Sequence, residues 1–235
     1  MSKRRALTPL AGTAYRGTLL NIPILFENEE CIVFNKPAGL AVQGGQGVKN
    51  SLDSILANEF SQRPLLVHRL DKDTSGVVLV AKSRDSAAFF AGVFAEKERN
   101  QRRVIKQYKA VCKGRPAAES GCISAEIYIR GAAKKAETRY RLVSMKDSPL
   151  PVSLLEIETI AGRMHQIRRH LAQTGVPVLG DDKYGDFALN KSLRKTAGLK
   201  RLLLHAERLV IPEKKINVFA PLPVYFNAFI MESEE

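Results

Sequence analysis

The chain has 235 residues, with 37 Lys or Arg against 24 Asp or Glu and a formal net charge of +13. A hydrophobic fraction of 45% is that of an ordinary globular protein, which excludes collagen-like, low-complexity and wholly disordered classes. No stretch approaches 18 apolar residues, so a membrane-spanning helix is excluded, and the positive surplus points to a polyanion partner, nucleic acid before any other.

Residues 1–20 are polar, basic and aperiodic, and predict a mobile N-terminal arm ahead of a folded part at 21–235. Lys3, Arg4 and Arg5 are followed by a segment broken by Pro9 and Gly12 and closed by Arg16, so no export signal is read. Only four of the 37 basic residues precede residue 18, which leaves most of the surplus in the folded part. Residues 32–34 read as a strand ending in the turn N-K-P-A-G at 35–39, and 40–43 resume an extended pattern before a glycine-rich loop at 44–47. Ser51 caps a short helix with Leu52, Ile55 and Leu56 on one face.

Two apolar runs, 65–67 and 77–81, read as buried strands around a charged loop. Ser83 caps a helix whose face carries Ala87, Phe90, Ala91 and Phe94 and which dissolves near Asn100. Four strands are predicted at 106–113, 122–130, 137–143 and 152–160, the second with Ile123, Ala125, Ile127 and Ile129 alternating. Gly162 breaks the chain before a helix at 164–173, with Met164, Ile167 and Leu171 toward the core and Arg168 at the edge of that stripe. Thr174, Gly175 and Pro177 end it, and the rest reads as loop until a last strand or pair at 201–211. Cys31, Cys112 and Cys122 have no framework spacing and predict free thiols and a cytoplasmic setting. The pattern is α+β, with a mixed, mostly antiparallel sheet flanked by helices.

The familiar phosphate-loop, dinucleotide, zinc-protease, C-x-x-C and G-x-S-x-G patterns are missing from the sequence. His165 and His170 are five residues apart, about 140° around a helix, so they do not share a metal, and no metal site is expected. Three segments remain. His68 to Gly76 packs charge between two strands, and Arg69 and Lys72 flank Asp71, favouring a charged, oriented carboxylate that can act as nucleophile or base. Gly162 to His170 crowds arginines and histidines at a helix start, suited to phosphate or to an ion pair with a buried carboxylate. Tyr108 stands between Lys106, Gln107 and Lys109, as a base-stacking platform would. Each also fits a plainer role: a charged turn, a solvated helix face, a packing tyrosine.

Together these segments resemble the RluA-type family of RNA pseudouridine synthases. The resemblance runs from about residue 22 to 229 and is carried by N-K-P-A-G-L-A-V (35–42), V-H-R-L-D-K-D-T-S-G-V-V-L-V-A-K (67–82), K-Q-Y-K-A (106–110), G-R-M-H-Q-I-R-R-H-L (162–171), G-V-P-V-L-G-D-D-K-Y-G (175–185) and L-L-L-H-A (202–206). It implies the family's catalytic fold with a central cleft and the isomerisation of uridine in RNA, with Asp71 as catalytic aspartate, Tyr108 stacking on the target base and Arg168 pairing with Asp71. Attack on the base, attack on the sugar and formation of an unsaturated sugar all remain open for Asp71. Arg69 is implied to hold the place of the flipped nucleotide, and His68, Arg163, His165 and Gln166 are expected to join it in binding substrate.

The reaction has no redox step, so no cofactor is expected. Many relatives begin with a small RNA-binding domain; because the resemblance starts near residue 22, none is expected here. G-G-Q-G and D-D-K-Y-G-D-F (181–187) look like the RluC-like branch, which implies large-subunit ribosomal RNA before transfer RNA, acted on by a monomer. The competing expectation is a non-catalytic RNA-binding or ribosome-assembly protein on the same fold.

Overall fold

The computed structural model describes residues 17–45, 50–95, 104–129, 131–147, 150–159 and 162–230. Its strands are β1 (Gly17–Leu19), β2 (Ile22–Glu27), β3 (Cys31–Lys36), β4 (Leu65–Leu66), β5 (Ser75–Ala81), β6 (Ile105–Lys113), β7 (Ser120–Ile129), β8 (Ala132–Lys146), β9 (Val152–Thr159), β10 (Leu204–Ile211) and β11 (Ile216–Phe219). The helices are α1 (Leu52–Glu59), α2 (Arg84–Ala95), α3 (Gln166–Gln173), α4 (Phe187–Thr196) and α5 (Asn227–Ile230). All the strands join one sheet in the order β1-β2-β3-β5-β10-β6-β9-β8-β7, with β4 added beside β5 and β11 beside β10. The predicted mixed, mostly antiparallel α+β architecture is the observed one, and β5–β10 is the parallel pair among the described strands.

Period-two alternation decides which helix covers which face. Cys31, Val33, Val77, Leu79 and Ala81 pack against Phe90 and Val93 of α2. Their neighbours Ile32, Phe34, Val78 and Val80 pack on the other face against Leu52 and Leu56 of α1. Both strands are therefore apolar on both faces, which is why the sequence shows continuous runs there. In the other half of the sheet, Ala110, Cys112, Leu155 and Ile157 meet Ile167 and Leu171 of α3. Val111 and Val152 face Phe226 and Phe229, with Leu189 and Leu193 of α4 packed alongside. Each fully buried Leu, Ile or Phe contributes ~1.5–3 kcal/mol. Both predicted caps form: Ser51 accepts the Ser54 N–H, and Ser83 accepts the Ser86 N–H.

The two half-sheets meet at a short seam. β5 and β10 pair only through Ser75 with His205 and Gly76 with Ala206. The Ser75 hydroxyl lies 2.9 Å from His205 Nδ1, and the other ring nitrogen lies 3.1 Å from the Ala220 carbonyl. An Nε2–H donor to Ala220 leaves Nδ1 to accept from Ser75. Gly76 has φ +110°, and any Cβ there would run into the Ala206 carbonyl. Across β10, Ala206 is the register partner of Tyr108. One row, Gly76–Ala206–Tyr108, thus sets the loop before β5 beside the tyrosine of β6.

Several expectations are corrected. The predicted arm at 1–20 falls outside the described residues up to 16, but residues 17–19 form β1, paired with β2. The helix expected from 164 begins at Gln166, and Met164, placed in the core by its spacing, is 47% exposed in the preceding turn. The stretch read as loop after Pro177 contains α4, capped by Asp186. Strand β8 is longer than 137–143, and the predicted last strand at 201–211 resolves into β10 with β11 antiparallel to it. The end predicted for the second helix near Asn100 lies outside the described residues.

Candidate active site

Asp71 stands in the loop between β4 and β5, and backbone contacts hold that loop. The Lys36 ammonium, buried at the end of β3, donates to the carbonyls of Pro37, Leu40 and Lys72 at 3.0, 2.7 and 3.0 Å. The Gly39 N–H also reaches the Lys72 carbonyl, and the Thr74 N–H reaches that of Asp71. Three carbonyls match the three protons of an ammonium. Burial pushes Lys36 down to about 7, against the charges of Asp73 and Asp71. The N-K-P-A-G turn and the Asp71 loop are thereby fastened together.

The Asp71 carboxyl makes two polar approaches: Oδ2 lies 3.6 Å from Arg168 Nη1, and Oδ1 lies 3.7 Å from His165 Nε2. Neither is a hydrogen bond by distance. The guanidinium is committed elsewhere: Arg168 Nε and Nη2 donate to Asp181 Oδ2 and Oδ1 at 2.8 and 2.7 Å. Asp181 Oδ1 also accepts the N–H groups of Lys183 and Tyr184. Burial works against Asp181's charge, but the Arg168 and backbone hydrogen bonds outweigh it and hold its pKa below the usual range. The Tyr184 hydroxyl is 2.9 Å from His165 Nδ1. His165, just before α3, has φ +56°, a left-handed conformation uncommon outside glycine. Burial lowers its pKa; Asp71 opposes this and Arg168 and Lys183 reinforce it.

Two cavities open beside Asp71. One, about 140 Å³, is lined by Arg69, Asp71, Thr74, Tyr108, Arg163, His165, Gln166, Arg168 and neighbouring apolar groups. The other, about 440 Å³, shares Arg69, Asp71, His165 and Arg168 and adds Lys72, Lys183, Arg194, Lys200 and Arg201. Tyr108 is half-buried, and desolvation pushes its hydroxyl up to about 12 despite a hydrogen bond to Thr159, so the phenol is neutral at pH 7.

Seven of the eight residues expected from the sequence therefore share one cavity. His68 lines neither: its Nε2 accepts the Leu79 N–H at 2.8 Å and its ring stacks on Phe94. Burial lowers it to about 3, so it is a neutral acceptor that braces β5. Gln166 borders the cavity, yet its amide donates to the Glu137 carbonyl and Thr138 hydroxyl and accepts the Arg163 N–H. That pins the start of α3 to β8. Lys109 turns to the opposite side of β6 from Tyr108 and pairs with Glu156 and Glu207, leaving Lys106 on the tyrosine's side. Asp181, Tyr184 and Lys36 were not predicted. All three lie inside quoted motifs, but no spacing rule links them to Asp71.

His165 and His170 diverge as expected, His165 toward Asp71 and His170 toward the Thr138 hydroxyl. Among the described residues, no group of three or more His, Cys, Asp or Glu side chains is placed to hold a metal, and no helix is long and apolar enough to cross a membrane.

The fold and the sequence of this chain have direct parallels among known proteins. The family model for RNA pseudouridylate synthase matches residues 30–173, and the chain belongs to that family of RNA-modifying isomerases. The ribosomal large subunit pseudouridine synthase C of Rickettsia prowazekii (strain Madrid E) is 35% identical over 227 residues, covering 88% of this chain and 70% of that protein. Its namesake from Vibrio cholerae (serotype O1, strain El Tor Inaba N16961) is 34% identical over 219 residues, covering 87% and 67%. Among solved structures, human RNA Pseudouridylate Synthase Domain Containing 4 superposes with a TM-score of 0.71 at 28% identity, over 87% of this chain and 90% of that one.

Proposed function

We propose that this chain isomerises uridine in large-subunit ribosomal RNA, with Asp71 as the acting carboxylate. The observation that carries the reading is the placement of Asp71: beside Arg168, unbonded, and open to the cavity that Tyr108 lines. The ribosomal substrate follows from the names of the relatives. In the net reaction the N1–C1′ bond breaks, a C5–C1′ bond forms, the C5 proton leaves and N1 takes up a proton. Nothing is oxidised or reduced.

The reacting atoms are inaccessible in a stacked base, so the nucleotide is flipped, at a cost of a few kcal/mol. Stacking on Tyr108 recovers ~1–3 kcal/mol of that. Exposed Arg69, at the rim of both cavities, takes the vacated place, and Arg163 contacts the RNA beside it. Lys72, Lys183 and Lys200 of the larger cavity meet the phosphates of the flanking strand. Arg168 balances the carboxylate's charge in a partly dry site. Buried thiols Cys31 and Cys112 and exposed Cys122, all free, suit a reducing cytoplasm.

The test uses large-subunit ribosomal RNA transcripts carrying tritium at uridine C5. The wild-type protein releases tritium, and Asp71→Asn lowers the rate roughly a thousandfold or more while RNA affinity stays within several-fold. Turnover retained in that variant removes Asp71 from the chemistry. RNA binding without release by the wild-type protein makes the chain a non-catalytic RNA-binding protein.

A further inference from the structure

The geometry assigns Tyr184 as a positioning residue: through the ring of His165 it aims a neutral N–H donor at Asp71. This rests on the reading of Asp71 as the acting group. Five residues close a circuit. Asp71 faces Arg168, Arg168 clamps Asp181, Asp181 holds the backbone N–H of Tyr184, Tyr184 bonds His165, and His165 faces Asp71 again. Both polar approaches to Asp71 are thus referred to one turn, residues 181–184.

The tautomer follows from electrostatics. A neutral imidazole carries one N–H. With the proton on Nδ1, a lone pair on Nε2 would face the Asp71 carboxylate at 3.7 Å, which is repulsive. With the Tyr184 hydroxyl donating to Nδ1, the proton sits on Nε2 and faces Asp71. The charged groups around His165 are Asp71, Arg168, Lys183 and Asp181, and with burial they leave the ring neutral at pH 7. The Tyr184 ring is held by Arg168, Arg169 and Lys183, whose charges lie 5.3, 5.7 and 5.6 Å from its centroid. The left-handed backbone at His165 is the kind of local strain that persists only where surroundings over-determine it, and the Tyr184 bond is one such restraint.

The division of labour has a chemical reason. Arg168 already supplies a full positive charge. A second one would deepen the resting ion pair and hold the carboxylate back, whereas a neutral donor orients it and yields when substrate closes the cavity.

The experiment is ¹⁵N imidazole spectroscopy of the full-length protein, paired with tritium-release kinetics of wild type and Tyr184→Phe. In wild type the spectrum shows His165 protonated at Nε2. In Tyr184→Phe the Nδ1 site loses its donor, the tautomers mix and the His165 pKa rises. The variant's kcat falls about fivefold to tenfold, as expected for one hydrogen bond, with KM within about twofold, and the acid limb of its rate profile moves to higher pH. Packing loss alone moves neither tautomer nor pH profile. A wild-type Nδ1–H tautomer, or a variant with unchanged tautomer, kcat and pH profile, overturns the assignment. An inactive wild type showing the Nε2–H tautomer sinks the reaction proposed for Asp71 and upholds the positioning geometry.

Discussion

Arg168 touches two carboxylates whose surroundings are opposite. The Asp181 side chain is 1% exposed and saturated, with a bidentate guanidinium and two backbone N–H donors. Asp71 is 18% exposed and approaches the same guanidinium at 3.6 Å and the His165 ring at 3.7 Å, both beyond hydrogen-bond distance. A saturated carboxylate has no lone pair left for a substrate, so Asp181 is structure. A carboxylate held by its backbone, with charge nearby but unbonded, is ready to act. The loop around Asp71 gets its rigidity from Lys36, and that frees the carboxyl from any part in holding the fold.

The sharpest way to break this contrast is to neutralise each carboxylate in turn. Asp181→Asn leaves Arg168 buried without its counter-charge and is expected to lose ~3–5 kcal/mol in urea unfolding. Asp71→Asn is expected to stay within about 1 kcal/mol of wild type; equal losses would end the distinction. Acid should reach the dry framework next. His205 is fully buried, and burial lowers it to about 4, with His68 lowered to about 3. The unfolded chain binds these protons below pH 6.5 and the folded chain does not. Stability present above pH 6.5 is therefore lost as pH falls toward 4, by about 3 kcal/mol for His205 alone. Thermal melts across that range check it, and a flat profile contradicts it. A more modest loss, ~2 kcal/mol, is expected for Lys36→Met, which leaves three carbonyls without a donor. Its kcat should fall further than its stability implies, because the Asp71 loop loses its anchor; unchanged kcat would show that the loop holds itself.

What could be read from the sequence follows from locality. Strand β5 and helices α1 and α2 carry unbroken or periodic apolar patterns and near-neighbour caps, so they were legible. Helix α4 was not, because its buried face carries Asn190, which accepts the Gly180 N–H and donates to the Asp181 carbonyl. A polar residue on the inner face hides the apolar stripe of Leu189 and Leu193. Strand β2 was masked by Pro23, and the start of β8, A-A-K-K-A-E, alternates with nothing because most of it is exposed. In the site, Asp71, Tyr108 and Arg168 were expected together and stand together. The second partner of Arg168 was illegible, since the rest of α3 and the turn after it separate it from Asp181 and charge alone assigns no pairing. The left-handed turn at His165 has no sequence signature at all.

The seam between the half-sheets has a bearing on the width of the catalytic gap. Asp71 hangs from one half, and Arg168 and Tyr108 from the other, and only two residue pairs join the strands between them. Gly76 lets those strands close to a separation that no other amino acid permits. Its single hydrogen acts as a gauge block: the aperture across which the carboxylate faces its arginine is machined by the one side chain that is not there.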